Sequence, residues 1–597
     1  MKIEGYALIG DCQSAALVGC DGSIDWLCWP RFDAPACFAA LLGTPENGRW
    51  KVAPASDAYS IKRRYRKDTL ILETDFETAE GAVTLVDFMP VGGTNADLVR
   101  IVVGRRGRVR MVSEGVLRFD YGASIPWVSI DDNCLRAIAG PDLVLLCAPA
   151  PLVNRDRRTW AEFEVAAGER KAFIMTHGPS HLGDPPRVDP DEALRATEAF
   201  WREWTSRCKV RGKWEEAVRR SLITLKALTY APTGGMVAAP TTSLPEKIGG
   251  IRNWDYRFCW LRDATLTLLA LMDAGYYDEA KHWREWLVRA VAGSPEQIQI
   301  MYGLAGERRL TEMEIPWLPG YEGSAPVRIG NAAAAQLQLD VYGELLDTLY
   351  QASKGGLSGH AIAWDLQRAL LKHLEKVWVQ PDEGIWEIRG APRHFTYSKV
   401  MAWVAFDRGV KMVEQFGVEG PVDEWRKLRD RIHEDVCKNG VSPTRGCFVQ
   451  SYGSEELDAS LLLIPITGFV AADDPRMLAT VEAIREDLMV DGLVLRYRTA
   501  EAVDGLPPGE GAFLACSFWY VDNLCMQGRW DEAAEMLDRL VGLCNDVGLL
   551  AEEYDPVEKR FLGNFPQAFS HLALVSSAMN LGERMKPAEQ RAEKKAA

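Results

Sequence analysis

The chain has 597 residues, more than one small core supports, so two large domains or a domain plus a large barrel is the natural expectation. A composition that is 47% hydrophobic and 26% charged is globular, and the net charge of −15, with no basic run of note before the tail, disfavours nucleic acid. A neutral or cationic ligand is easier to accommodate.

The thirteen cysteines are scattered from Cys12 to Cys544 without a CxxC pair or a Cys/His cluster. That pattern reads as reduced, buried thiols in a cytoplasmic protein, neither a disulfide frame nor a zinc site. The opening MKIEGYALIGD has no signal pattern, and the longest apolar stretch, Leu143 to Val153, is too short to cross a bilayer and contains Pro149 and Pro151. No membrane association is expected.

The first two hundred or so residues read as β-rich. Thr69 to Met89 alternates apolar and polar residues on either side of Glu80-Gly81, as a hairpin requires. Leu98–Val103, Val109–Val116 and Leu143–Leu146 continue in that style, and Cys20-Asp21-Gly22-Ser23 is a turn sequence. An antiparallel β-sandwich over residues 1–190 follows, and no GxGxxG or GxxxxGK[ST] marks a phosphate loop. Residues 191–213, carrying Trp201 and Trp204, read as a helical linker.

From Trp214 onward the pattern is helical: Trp214, Ala217, Val218, Leu222, Leu225 and Leu228 recur at three- and four-residue spacings. Similar helices are predicted near 278–292, 331–351, 359–377, 397–416, 422–436, 458–470, 476–488, 512–526, 530–545 and 566–581. A dozen helices paired by short loops over residues 214–584 suggest a closed ring of helical hairpins. Residues 585–597 read as a polar, disordered tail.

Chemistry concentrates in the loops. Gly250 to Asp263 (GIRNWDYRFCWLRD) stands at the mouth of the apolar helical run Ala264–Ala274. Its Trp254, Tyr256 and Trp260 could stack on sugar C–H faces while Arg262 and Asp263 bond hydroxyls. Alone, a reading of core aromatics and a solvated helix start weighs equally. Three further loops tip the balance: Leu318–Asn331 with Tyr321 and Arg328, Gly384–Arg389 with Trp386 beside Glu387, and Leu550–Asp555 with Glu552 and Glu553, followed by Gly563-Asn564-Phe565-Pro566-Gln567.

Hydrolysis of a glycosidic bond with inversion needs an acid and a base about 6.5–9.5 Å apart, leaving room for water. Glu387 beside Trp386 is expected to be desolvated and protonated, and Glu552–Glu553 in a polar loop to supply an ionised base. Any single glutamate is more simply a solvated loop charge; four aromatic-plus-carboxylate loops together are not.

Asn253–Asp263, Trp386–Glu387, Glu552–Asp555 and GNFPQAFSH resemble glycoside hydrolase family 15, and the N-terminal GDCQSAALVGCDGSIDWLCWPRFDAPACFAALLG is similar to the sandwich domain of its bacterial trehalase-like members. The resemblance spans nearly the whole chain. It implies a β-sandwich, a helical linker and an (α/α)6 barrel with the active site at one barrel end. It places the general acid on Glu387 and the general base on Glu552, with Glu553 standing where the family has glutamine. It sets Arg262 and Asp263 on the hydroxyls of the terminal glucose, with Tyr256 and Trp260 alongside; Trp254 and Trp386 are candidates for binding the substrate. Arg328, Glu553 and His394 are further candidates for contact with the sugar.

Cys259 has no His or Asp at a spacing that would make it a nucleophile, and no acidic cluster has calcium-loop spacing, so no metal or cofactor is implied. The expected activity is inverting, exo-acting hydrolysis of a small neutral α-glucoside, trehalose first. Glucoamylase or glucodextranase action on α-1,4 or α-1,6 oligosaccharides is the alternative. A glycoside phosphorylase is remote, because Glu552 and Glu553 would repel phosphate. The partner is a small carbohydrate, and homo-oligomer formation is left open.

Overall fold

A computed structural model describes the chain except residues 94, 358–360, 500–503, 583–585 and 594–597. The N-terminal part is one fifteen-stranded antiparallel system whose order follows from a single long strand, Ala96–Val116. Its first half pairs with Gly81–Phe88 and Arg170–Pro179, and its second half with Arg49–Pro54 and Arg158–Ala166. One strand thus belongs to both layers, and Trp26, Phe38, Trp50 and Phe173 fill the core between them. The expected hairpin is present, Leu72–Glu77 pairing with Gly81–Phe88.

Helix α1 (Pro190–Ser206) starts on an Asp189 side-chain cap. Its Leu194 covers Ile71, Val86, Phe88, Val99 and Ile101 on an outer sheet face. Its Trp204 stacks on Tyr276 at 4.1 Å. The linker therefore packs against both parts of the molecule.

Twelve more helices follow among the described residues: α2 (Glu215–Ala227), α3 (Ala264–Ala274), α4 (Tyr277–Val291), α5 (Asp340–Lys354), α6 (Ala361–Val377), α7 (Thr396–Phe416), α8 (Val422–Asn439), α9 (Pro475–Asp487), α10 (Leu514–Met526), α11 (Trp530–Val541), α12 (Ala568–Asn580) and α13 (Pro587–Ala592). Neighbour contacts run α3–α5–α7, then through the turn Ala459–Leu463 to α10, α12 and back to α3, closing an inner ring. Helices α2, α4, α6, α8, α9 and α11 pack against this inner ring. This is the (α/α)6 arrangement. Inner helices such as α10 and α12 are buried all round, whereas α8 and α11 bury one stripe.

Four expectations are corrected. The helix predicted at 458–470 is a short 3-10 turn, Ala459–Leu463, because Pro465 and a left-handed Gly468 (φ +83°) interrupt it. The helix predicted from 331 starts at Asp340; Ala332–Ala335 before it is a separate 3-10 turn capped by the Asn331 side chain. Cys134 and Cys147 form a disulfide, since strands Cys134–Ala139 and Asp142–Cys147 place them directly opposite; the other eleven cysteines are free. Within the supposed tail, α13 is docked, with Arg591 only 6% exposed and bonded to Asp347 (2.6 Å) and Glu344 (2.8 Å). No helix among the described residues is long and apolar enough to cross a membrane.

Candidate active site

The segments that lead into several of the inner helices gather at one cleft. The segments before α3, α5, α7 and α10 line a narrow cleft with Trp254, Tyr256, Arg262, Asn331, Trp386, Glu387 and Arg389, and Glu552, from the segment before α12, is buried against its Tyr256 wall.

The motif before α3 splits its charges between two tasks. Short strands Asn253–Asp255 and Cys259–Trp260 carry it. Trp254 and Tyr256 face the cleft, while Asp255 and Arg257 form a buried bidentate pair (2.8 and 2.7 Å). Arg257 also donates to the Ala34 carbonyl of the sandwich at 3.0 Å. This pair ties the motif to the N-terminal part. Arg262 lines the cleft, with the buried Asp263 beside it: Arg262 donates to Asp263 (3.1 Å), to the Ile385 carbonyl (3.1 Å) and to Glu387 Oε1 (3.3 Å). Burial raises the Asp263 carboxyl to about 6 despite Arg262 beside it.

Glu387 stands in the left-handed region (φ +58°), a conformation that turns its side chain away from that of Trp386. Its Oε1 accepts the Trp260 indole N–H at 2.7 Å. Trp386 points elsewhere and donates to both Asp458 oxygens at 2.9 and 3.0 Å. The indole expected to desolvate Glu387 is therefore not the one that touches it.

Glu552 is fully buried. Its Oε2 accepts the Asn564 N–H at 3.0 Å, the Tyr256 hydroxyl faces it, and Oε1 has no hydrogen-bond partner. Burial raises its pKa, which corrects the expectation of a polar, readily ionised environment. Gly563 makes room for it: a Cβ there would lie 2.5 Å from Glu552 Oε2. Tyr256 and Glu387 line the cleft, and the Tyr256 hydroxyl stands against the buried Glu552.

Residues 212–579 match the family described as glycosyl hydrolases family 15, and residues 1–170 match the one described as trehalase-like, N-terminal. The chain belongs to glycosyl hydrolases family 15. The trehalase of Mycolicibacterium smegmatis is 37% identical over 97% of this chain and 91% of its own length. That of Thermoplasma volcanium is 35% identical over 98% and 94%. A bacterial glucoamylase solved with acarbose superposes with a TM-score of 0.74 at 14% identity, covering 100% of this chain and 96% of its own, and so shares the fold.

In this glycoside hydrolase Glu553, adjacent to the buried Glu552, points the other way, because strand Glu553–Asp555 alternates its side chains. Its Oε2 accepts the Gly511 N–H at 2.8 Å. It joins Glu246 and Glu510, the three carboxylates lying within 4.8 Å of one another. Among the described residues this is the grouping that could take a cation, but Arg496 already bonds Glu246 (2.9 Å) and Glu510 (2.6 Å) there. Burial, and then the like charges of Glu246 and Glu510, push Glu553 up.

Arg328 stands behind the cleft, 4.7 Å over Trp254 and bonded to the Ile251 carbonyl. His394 is not brought to the cleft. It lies in a separate depression with Trp378, Lys399 and Tyr452, stacked on Tyr452, because Phe395 takes the inward position as α7 begins. Sequence reasoning missed Glu246, Arg252, Arg389, Arg496, Tyr497 and Asp504 in the wall. Arg252 and Arg389 were within flagged loops, and the Gly/Pro run Asp504–Gly511 was a signal left unread.

Proposed function

We propose that this enzyme hydrolyses trehalose to two glucoses with inversion at the attacked carbon, Glu387 acting as general acid and Glu552 as general base. The observation that carries the reading is Glu387 in the cleft wall with Tyr256, and a second carboxyl, Glu552, buried against that tyrosine, the two groups that acid–base hydrolysis of a glycoside requires. The curated relatives named trehalase over nearly the full length support the substrate.

Arg262 and Asp263 hold hydroxyls of the ring to be cleaved. Trp260 and Arg262 both bond Oε1 of Glu387, which leaves Oε2 to carry the proton to the glycosidic oxygen. Water attacks from the opposite face, its proton taken by the unpartnered Oε1 of Glu552. The upward shift of Glu552 strengthens it as a proton acceptor once ionised, so activity is expected to rise with pH through its raised pKa. Eleven free cysteines against one disulfide, Cys134–Cys147, favour a reducing, cytoplasmic location.

Glucose release from trehalose, maltose, isomaltose, dextrin and dextran tests the substrate, and strong dextrin activity with none on trehalose would refute it. Glu387→Gln and Glu552→Gln should each lose about 10²–10⁴-fold. Only the first should recover on a substrate with an activated leaving group, which departs without a proton. NMR before mutarotation should show one β- and one α-glucose from each trehalose; two α-glucoses would mean a retaining mechanism.

A further inference from the structure

One wall of the cleft is a single Gly/Pro-rich segment, Asp504–Glu510, and it is tied to the loop that carries Glu387. The buried Asp504 carboxylate accepts from Arg252 at 2.6 Å and from the Tyr497 hydroxyl at 2.9 Å. Its carbonyl accepts the Arg389 N–H at 2.8 Å. Arg252 also donates to the Pro507 carbonyl at 3.1 Å. Gly505, at φ +76°, lies flat against that loop: a Cβ would sit 2.8 Å from the Arg389 carbonyl carbon and the Gly390 nitrogen.

The loop is therefore held from two directions. Arg262 grips it upstream of Glu387, at the Ile385 carbonyl, and Asp504 grips it downstream, at Arg389. A general acid must stand at the bond between two sugars, so the ring to be cleaved lies towards Arg262 and the leaving ring towards Arg389. Asp504 and Leu506 line the cleft, and the Asp504 carbonyl holds Arg389, so this segment stands on the leaving side. Arg389 lies 4.8 Å over Trp254, and its Nη2 is 3.3 Å from Glu312, so its guanidinium is pre-oriented. With Arg389 over its ring, Trp254 borders this side as part of a cation–aromatic pair.

We propose that Arg389 and the Asp504–Leu506 wall form the subsite for the leaving sugar: Arg389 bonds its hydroxyls, and the wall restricts the substrate to two rings. The proposal rests on the trehalose reading of the cleft and adds the residues that select substrate length.

The test compares trehalose, α-glucosyl fluoride, which has no leaving sugar, and maltotriose on the full chain. Arg389→Ala should lower kcat/KM on trehalose about 10- to 100-fold, the range for a lost charged hydrogen bond, and on the fluoride less than about threefold. Gly505→Val, which pushes the wall off the loop, should give the same split and raise the maltotriose-to-trehalose ratio at least about tenfold. Retained turnover of the fluoride shows that both variants fold. Equal losses on trehalose and fluoride, or an undiminished trehalose rate in Arg389→Ala, would overturn the proposal. Should the wild type cleave maltose and the fluoride but not trehalose, the trehalose reading fails by itself, and the same split read on maltose decides the subsite.

Discussion

Replacing Gly563 with alanine probes how the base is held. Gly563 adopts φ +72°, where an L side chain costs about 1–2 kcal/mol. The added Cβ would sit 2.5 Å from Glu552 Oε2, 2.6 Å from its Cβ and 3.0 Å from its Cδ. Ordinary contact begins near 3.4 Å. The whole glutamate, not only its flexible end, must therefore retreat by roughly 1 Å, and a displacement of that size costs on the order of 10²-fold in rate. Oε2 would also lose its bond from the Asn564 N–H. Gly563→Ala is thus expected to lower kcat on trehalose about 100-fold while the thermal midpoint falls only by the amount the backbone strain dictates. Steady-state kinetics with differential scanning fluorimetry measures both. A kcat within about threefold of wild type at an unchanged midpoint would refute the reasoning, because Glu552 could then not be the positioned base.

His571 is buried, its Nε2 accepting the Leu550 N–H at 3.2 Å and its Nδ1 bonded to Ser221 Oγ at 2.9 Å; burial pushes its pKa down to about 3. The neutral ring contributes stability in full above about pH 6.5, and that contribution is lost as pH falls towards 3. Thermal midpoints between pH 7 and 4 should therefore fall more steeply for wild type than for His571→Gln. Asp522, raised to about 7 by burial, acts in the opposite sense, so the difference between the two proteins is the readout, and parallel curves would refute the role. Arg591→Ala leaves the buried Glu344 with only Tyr397 at 3.2 Å and should cost about 3–5 kcal/mol, seen as a lowered thermal midpoint; no change would mean that the Arg591 contacts do not hold α13 on the barrel.

Much of the fold was legible in sequence because it is written in local periods. Alternation around Glu80-Gly81 predicts the hairpin that forms, and three- and four-residue spacing predicts α2, α4, α7 and α12 within a few residues. The same reasoning failed where a local interruption outweighed apolar composition, as at Pro465 and Gly468, and where a helix was short and docked, as in α13. The cleft's aromatics and carboxylates were visible as residue types beside helix starts.

What each of them touches was not. Sequence adjacency suggested Trp386 as the partner of Glu387; the chain brings Trp260 from 127 residues away instead, and Trp386 goes to Asp458. Adjacent Glu552 and Glu553 look alike in sequence, yet one faces Tyr256 and the other Arg496. By itself, then, the sequence determined the elements, their order, the family motifs and the residues able to act. Closure of the helical ring alone decided which loops meet, which carboxylate is buried against which cation, and that the Asp504 segment walls one side of the cleft. Periodicity is a property of neighbours along the chain, whereas burial and charge pairing depend on groups hundreds of residues apart that only packing brings within bonding distance.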